Sequence, residues 1–272
     1  MLHNLAQLPR YRGLIHSLVA RELKARYRGS VLGFFWSFIN PLSLLLIYTF
    51  VFKYVMPAAA KGAESDPLFT GTDPYSLFMF CGLLPWTWFA SSLLESAGVL
   101  ISGGNLIKKV LFPAEILPIV TVTANMVHFF LALPILVFFL IWFSAPLSAT
   151  ELLWFAVVVA VQFVFTLGCA LILSALTVHF RDIRDILSNV ITLWFFATPI
   201  IYSYKLAPAF ARRFMNLNPF AHLAISYQEI LFFAGPFGHW KWLLALGAAS
   251  IAWFLFGYWI FDRLRDSFAE EV

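Results

Sequence analysis

Arg21-Glu-Leu-Lys-Ala-Arg-Tyr-Arg-Gly-Ser-Val-Leu-Gly-Phe-Phe-Trp-Ser-Phe-Ile-Asn-Pro-Leu-Ser-Leu-Leu-Leu-Ile-Tyr48 changes at Val31 from a basic segment to an apolar one. With Arg10 and Arg12, the cations Arg21, Lys24, Arg26 and Arg28 all precede this first apolar run. The contrast extends through the whole chain. Of 272 residues, 61% are hydrophobic, 18% aromatic and 12% charged, whereas soluble domains carry roughly 25% charge. The composition is that of a polytopic membrane protein.

A helix needs about 20 apolar residues to cross the hydrocarbon core. Six segments meet that length approximately: 31–56, 75–101, 116–143, 152–178, 186–202 and 240–261. No alternating β-barrel pattern is present, so helices must satisfy the backbone. The expected fold is an all-α integral membrane protein, a single transmembrane domain over 1–272. Residues 1–30 are amphipathic and precede a span with no cleavage-like site, so no signal peptide is expected. Cys81 and Cys169 fall inside spans and read as packing residues, with no metal site expected.

Charge orients the chain. Residues 1–30, Lys108 and Lys109, Arg181 and Arg184, and Arg263 and Arg265 fall on one side. Fewer cations, Lys53, Lys61, Lys205, Arg212, Arg213 and Lys241, are spread over the other. The positive-inside rule then places both termini in the cytoplasm.

Three stretches stand apart from the spans. Over 11–28, Tyr11, Leu14, Ile15, Leu18 and Val19 recur at helical spacing while Arg21, Lys24 and Arg28 share another face. This is an interfacial helix that either anchors on anionic lipid or docks a partner. Between the second and third spans, Gly103-Gly104 precedes Asn105-Leu106-Ile107-Lys108-Lys109 and Pro113 ends the run, which fits a short cytoplasmic helix. After a fifth span interrupted by Pro199, residues 203–239 are too apolar for an ordinary external loop. There Asn218 is a good N-cap with Pro219 at the first helical position. An apolar stripe (Phe220, Leu223, Ala224, Tyr227, Ile230, Leu231) and a polar one (His222, Ser226, Glu229) follow. The expectation is a short helix re-entering the outer leaflet, the alternative an interfacial helix on the outer surface.

Within the spans, Thr87, Ser91 and Glu95 are spaced at four, and Thr121, Asn125 and His128 at four and three. Ionisable side chains at membrane depth normally face a bundle interior or a cavity, which makes Glu95 and His128 candidates for an internal path. Hydroxyls and amides also glue helices together. A proton-coupled carrier would need several buried acids, and Glu95 is the one acid well inside an expected span. No G-x-x-x-x-G-K-[ST] phosphate loop exists in the chain. If ATP drives it, another subunit binds the ATP. The many aromatic residues suit either a glycan-lining wall or lipid-facing packing.

The stretch Leu18 to Pro41 resembles the opening of type-2 ABC-transporter permeases that export polysaccharides, especially the O-antigen exporter subunit. Gly82-Leu-Leu-Pro-Trp86, 105–113, Phe180-Arg-Asp-Ile183, Thr198-Pro-Ile-Ile-Tyr202 and Leu217-Asn-Pro-Phe220 continue the resemblance in order. It implies a homodimer in the bacterial inner membrane, paired with two cytoplasmic ATPase subunits that bind ATP and Mg. Residues 11–28 would be the interface helix, 104–112 the ATPase-coupling helix and 206–233 a pair of outer gate helices. The substrate would be an undecaprenyl-diphosphate-linked glycan, with Arg21, Lys24, Arg26 and Arg28 as candidates for the diphosphate. Capsule, teichoic acid and smaller lipid or drug substrates remain alternatives, and no nucleic-acid partner or catalytic residue is expected. A polyprenyl-linked glycan-modifying enzyme would need a catalytic cluster, and the external acids Glu64, Asp66, Asp73, Glu151 and Glu229 form none in the sequence.

Overall fold

The computed structural model describes residues 8–55, 75–104, 113–143, 151–233 and 236–271. Among these residues every regular element is helical. The helix expected at the interface is α1 (Arg12–Arg26), followed by α2 (Trp36–Phe50), α3 (Tyr75–Ser102), α4 (Ile116–Trp142) and α5 (Glu151–His179). Then come α6 (Ile183–Phe196), two short helices α7 (Ala209–Met215) and α8 (Pro219–Leu231), α9 (Trp240–Leu264) and a terminal turn α10 (Phe268–Glu271). Of the short helix expected over 104–112, all but residue 104 lies outside the described residues, including Asn105, Leu106, Ile107, Lys108 and Lys109.

Five helical stretches are long and apolar enough to cross a membrane: 33–50, α3, α4, α5 and 240–267. The expected fifth span, 186–202, is different. It holds α6, which is 14 residues long, about 21 Å at 1.5 Å per residue and short of a core of about 30 Å. The helix stops at Phe196 because a residue before proline avoids the α region, and the chain turns through Thr198 and Pro199.

α3 is the axis of the bundle. Its best apolar window is 78% buried, against 11% for the stretch containing α2. α3 packs on α4, α5 and α8, while α5 packs most extensively on α9. Glycine sets that last crossing: a Cβ on Gly257 would sit 2.6 Å from the Gly168 carbonyl oxygen. The backbones touch there, the small-residue contact by which membrane helices gain van der Waals packing.

α1 presents its apolar stripe to protein. Leu18 and Val19 pack on Ile116, Val120 and Ala124 of α4, flanked by Tyr11, Leu14, Ile15 and Leu23. The turn into α2 requires Gly29 at φ 81° and Gly33 at φ 49°, left-handed conformations in which glycine carries no Cβ penalty.

Candidate functional site: an inner ring and an outer helix pair

The end of α1 delivers Arg26 to the middle of α3 and α4. Its Nη2 donates to both oxygens of Glu95 at 2.8 Å, and its Nη1 donates to Asn125 Oδ1 at 3.2 Å. Asn125 Nδ2 closes the ring by donating to Glu95 Oε2 at 2.7 Å, and it also donates to the Thr121 carbonyl. Three side chains from three helices thus satisfy one another. Arg26 and Glu95 remain 30% and 39% exposed, so the pair is open on one side.

Two polar cavities lie on either side of this ring. One, of about 490 Å³, is walled by Arg26, Asn40, Thr87, Ser91, Asn125 and His128 among others. The second, of about 790 Å³, is walled by Glu22, Arg26, Glu95, Arg184, Asp185 and Ser188 among others. Arg26 lines both. In the first cavity Tyr27 ties the turn down: its hydroxyl meets Ser37 Oγ at 2.6 Å and His128 Nδ1 at 3.3 Å. His128 Nε2 is buried with no partner among the described residues. An imidazole nitrogen left so at membrane depth is a group able to bond whatever enters.

The pair expected on the outer side, α7 and α8, is built differently. α8 is buried on almost every side, with Phe220, His222, Ser226 and Tyr227 all below one-tenth exposed. The apolar stripe is therefore inside, with His222 and Ser226 of the polar one, while Glu229 is half-buried. Phe220 meets Trp86 edge-on at 4.9 Å and lies 4.8 Å from Phe89, centroid to centroid. Ser226 Oγ bonds back to the His222 carbonyl, and the Tyr227 hydroxyl has no partner among the described residues.

Asn218 caps α8 as expected, its Oδ1 accepting from the N–H groups of Phe220 and Ala221. It also joins α6. Trp194 Nε1 donates to the same oxygen at 2.8 Å, and Asn218 Nδ2 donates to the Ala197 carbonyl at 3.2 Å and to Thr198 Oγ1 at 3.0 Å.

At its other side α8 is clasped to α9. His222 Nε2 faces the Asn216 carbonyl at 3.0 Å and so carries the proton, which makes Nδ1 the acceptor of His239 Nε2–H at 2.9 Å. The His222 ring stacks on Trp242 at 5.0 Å. Glu229 Oε2 accepts from the Gly238 and His239 N–H groups, at the start of α9 where a carboxylate complements the helix dipole. Burial lowers the basicity of His222, and burial with the neighbouring His222 takes His239 down to about 4. Burial raises the Glu229 carboxyl, against the pull of the two N–H groups and Lys205.

The structure thus gathers Thr87, Ser91, Asn125 and His128 around one cavity and puts Glu95 on the next. Of the four basic residues singled out, Arg26 alone enters the ring, and Arg21, Lys24 and Arg28 are exposed. Phe220, His222, Ser226, Tyr227 and Glu229 share α8 as packing and clasp groups. Sequence reading missed Tyr27, the tertiary bonds of Asn218, and the polar exposed face of α6, where Asp185, Ser188, Asn189 and Thr192 stand together. Helical spacing of those four was the available signal, hidden because the segment read as a plain span. Glu115 was also missed: it is 4% exposed just ahead of α4, with Arg265 Nη1 3.8 Å away.

Known proteins share this sequence along its length. The chain is 41% identical to the O-antigen export system permease protein RfbA of Myxococcus xanthus, with all of both chains covered. It is 32% identical to the protein of the same name from Klebsiella pneumoniae over 94% of each. The polysialic acid transport protein KpsM of Escherichia coli is 21% identical over 79% of this chain and 80% of its own. Residues 13–232 match the family described as ABC-2 type transporter. Helices able to cross a membrane, polar cavities between them and this match together make the chain a member of the ABC-2 type transporter family.

Proposed function

We propose that this chain is the membrane subunit of an ATP-driven exporter that moves undecaprenyl-diphosphate-linked O-antigen across the bacterial inner membrane. The observation that carries the reading is the pair of polar cavities on either side of the Arg26 ring, in a chain matching O-antigen permeases from end to end. Two copies form the channel. The weakly covered α2 and the polar face of α6 turn toward the partner copy and the path, since Asp185, Ser188, Asn189 and Thr192 suit water or protein better than lipid. α6 with the turn after it completes a sixth crossing, which leaves both termini cytoplasmic, and α7 and α8 re-enter from outside as the gate. Arg21, Lys24 and Arg28 attract the diphosphate, and Arg26 receives it when Glu95 lets go.

A separate cytoplasmic ATPase binds ATP and Mg and pushes on 105–109. Purified with that ATPase in vesicles, the chain transports lipid-linked O-antigen and the glycan stimulates hydrolysis. Replacing Leu106, Ile107 and Lys108 together with alanine abolishes transport while leaving the spans folded. Full transport by that variant would remove the coupling role, and no glycan-dependent transport by the unmodified complex would remove the function. Capsular polysaccharide is the second reading, favoured by the likeness to the polysialic acid transport protein. The same vesicles loaded with either glycan separate the two.

A further inference from the structure

Asn218 carries more bonds than a cap needs. Capping α8 takes one oxygen that accepts from the first free N–H groups, a task that serine, threonine or aspartate performs as well. Here that oxygen takes a third donor, the Trp194 indole, and both amide hydrogens go to the end of α6, at Ala197 and Thr198. An oxygen acceptor and two hydrogens on one short, stiff side chain are supplied by asparagine alone. The residue type therefore answers to α6 as much as to α8.

A second tie runs parallel. Gln228 Nε2 donates to the Pro199 carbonyl at 3.0 Å, and Gly82 leaves room for it: a Cβ there would sit 3.1 Å from that nitrogen. The Trp194 ring packs edge-on to Phe89 at 5.2 Å, closing the seam with α3. The other end of α6 reaches the larger cavity, where Arg184, Asp185 and Ser188 stand across from Glu22, Arg26 and Glu95. A single rigid helix of four turns thus links the inner cavity to the outer helix.

We propose that Asn218 is a positioning residue for export: the joint through which movement of α6 at the inner cavity is delivered to α8. This rests on the export reading, and its test has one arm that does not. Spin labels at positions 189 and 217, both exposed, report the distance between α6 and the start of α8 in the complex with its ATPase, with and without ATP. With both labels on one copy only, the unmodified chain should give one narrow distance in both states. Asn218→Asp and Asn218→Ser each keep a capping oxygen and lack the two amide hydrogens. Both should broaden that distance and lower glycan transport about tenfold, within the range of coupling between sites, with melting temperature and ATP hydrolysis close to those of the unmodified complex. Trp194→Phe, which removes one bond and keeps the ring, should fall between. A narrow distance with full transport in Asn218→Asp overturns the proposal, as does lost transport with the distance unchanged. If the unmodified complex exports no glycan, the export reading fails, and the distances still decide whether α6 and α8 are joined here.

Discussion

The inner ring and the outer helix pair hold the same bundle together by opposite means. At the ring, charge faces charge between two helices and a neutral amide from a third joins them, with one side open. At α8, neutral amides and aromatic rings do the holding, and Phe220, Ala221, Leu223, Ala224 and Tyr227 are wholly buried. An ion pair left partly exposed contributes little to stability, about 0–1 kcal/mol. A buried aromatic ring contributes more. The ring is thus cheap to open, whereas the outer pair must travel as a block.

The largest expected effect follows from that contrast. Phe220→Ala removes a ring wedged between Trp86 and Phe89, and such truncations cost about 3–5 kcal/mol. Thermal unfolding in detergent should show a loss of that order, with protease cutting first within 209–231. A loss below about 1 kcal/mol would mean that α8 is held by its hydrogen bonds and not by its rings, which would weaken the contrast at its outer end.

Glu95→Gln should do the reverse. It keeps the shape and the oxygen while halving the ring's charge complement, so stability should change by less than about 1 kcal/mol. Function should move more: glycan-independent ATP hydrolysis by the complex should rise about fivefold, the low end of coupling energies between sites. Stability loss as large as that of Phe220→Ala would make the ring a structural support and erase the distinction between the regions.

These two regions also differ in how far the sequence discloses them. Thr87, Ser91, Asn125 and His128 were legible as a group facing the bundle interior because period 3.6 gathers them on helix faces, and they share a cavity. The cap at Asn218 was legible because capping is local. Arg26 was readable as a cation but not as the one that enters the bundle, since its partners Glu95 and Asn125 lie 69 and 99 residues away. The length of α6 was misjudged for a related reason. Hydropathy continues through Thr198-Pro-Ile-Ile, but the backbone turns there and its Pro199 carbonyl bonds to Gln228, 29 residues on. Local pattern carries what neighbours in sequence decide, and long-range pairing decides the rest.

The smallest expected effect tests the one titratable part of the outer pair. His222 and His239 share a hydrogen bond that needs one nitrogen without a proton, and a proton on each ring leaves no acceptor between them. Both groups have their basicity lowered, His239 from 6.5 to about 4. The unfolded chain therefore binds protons more readily, and stability from the clasp is full above about pH 6.5 and falls as pH drops toward about 4. Glu229 of α8 accepts from the His239 N–H, and Glu151 at the start of α5 and Lys205 before α7 act in turn on Glu229. The raised Glu229 carboxyl works in the other direction, because acid relieves the cost of keeping it ionised. The net loss between pH 7 and 6 should thus stay under about 1 kcal/mol, read as a small drop in melting temperature. His239→Gln should flatten that drop while keeping the backbone N–H that Glu229 accepts, and Glu229→Gln should steepen it. An unchanged profile in His239→Gln would show that the clasp is held by the Trp242 stack alone, making the outer pair as indifferent to protons as its amides are.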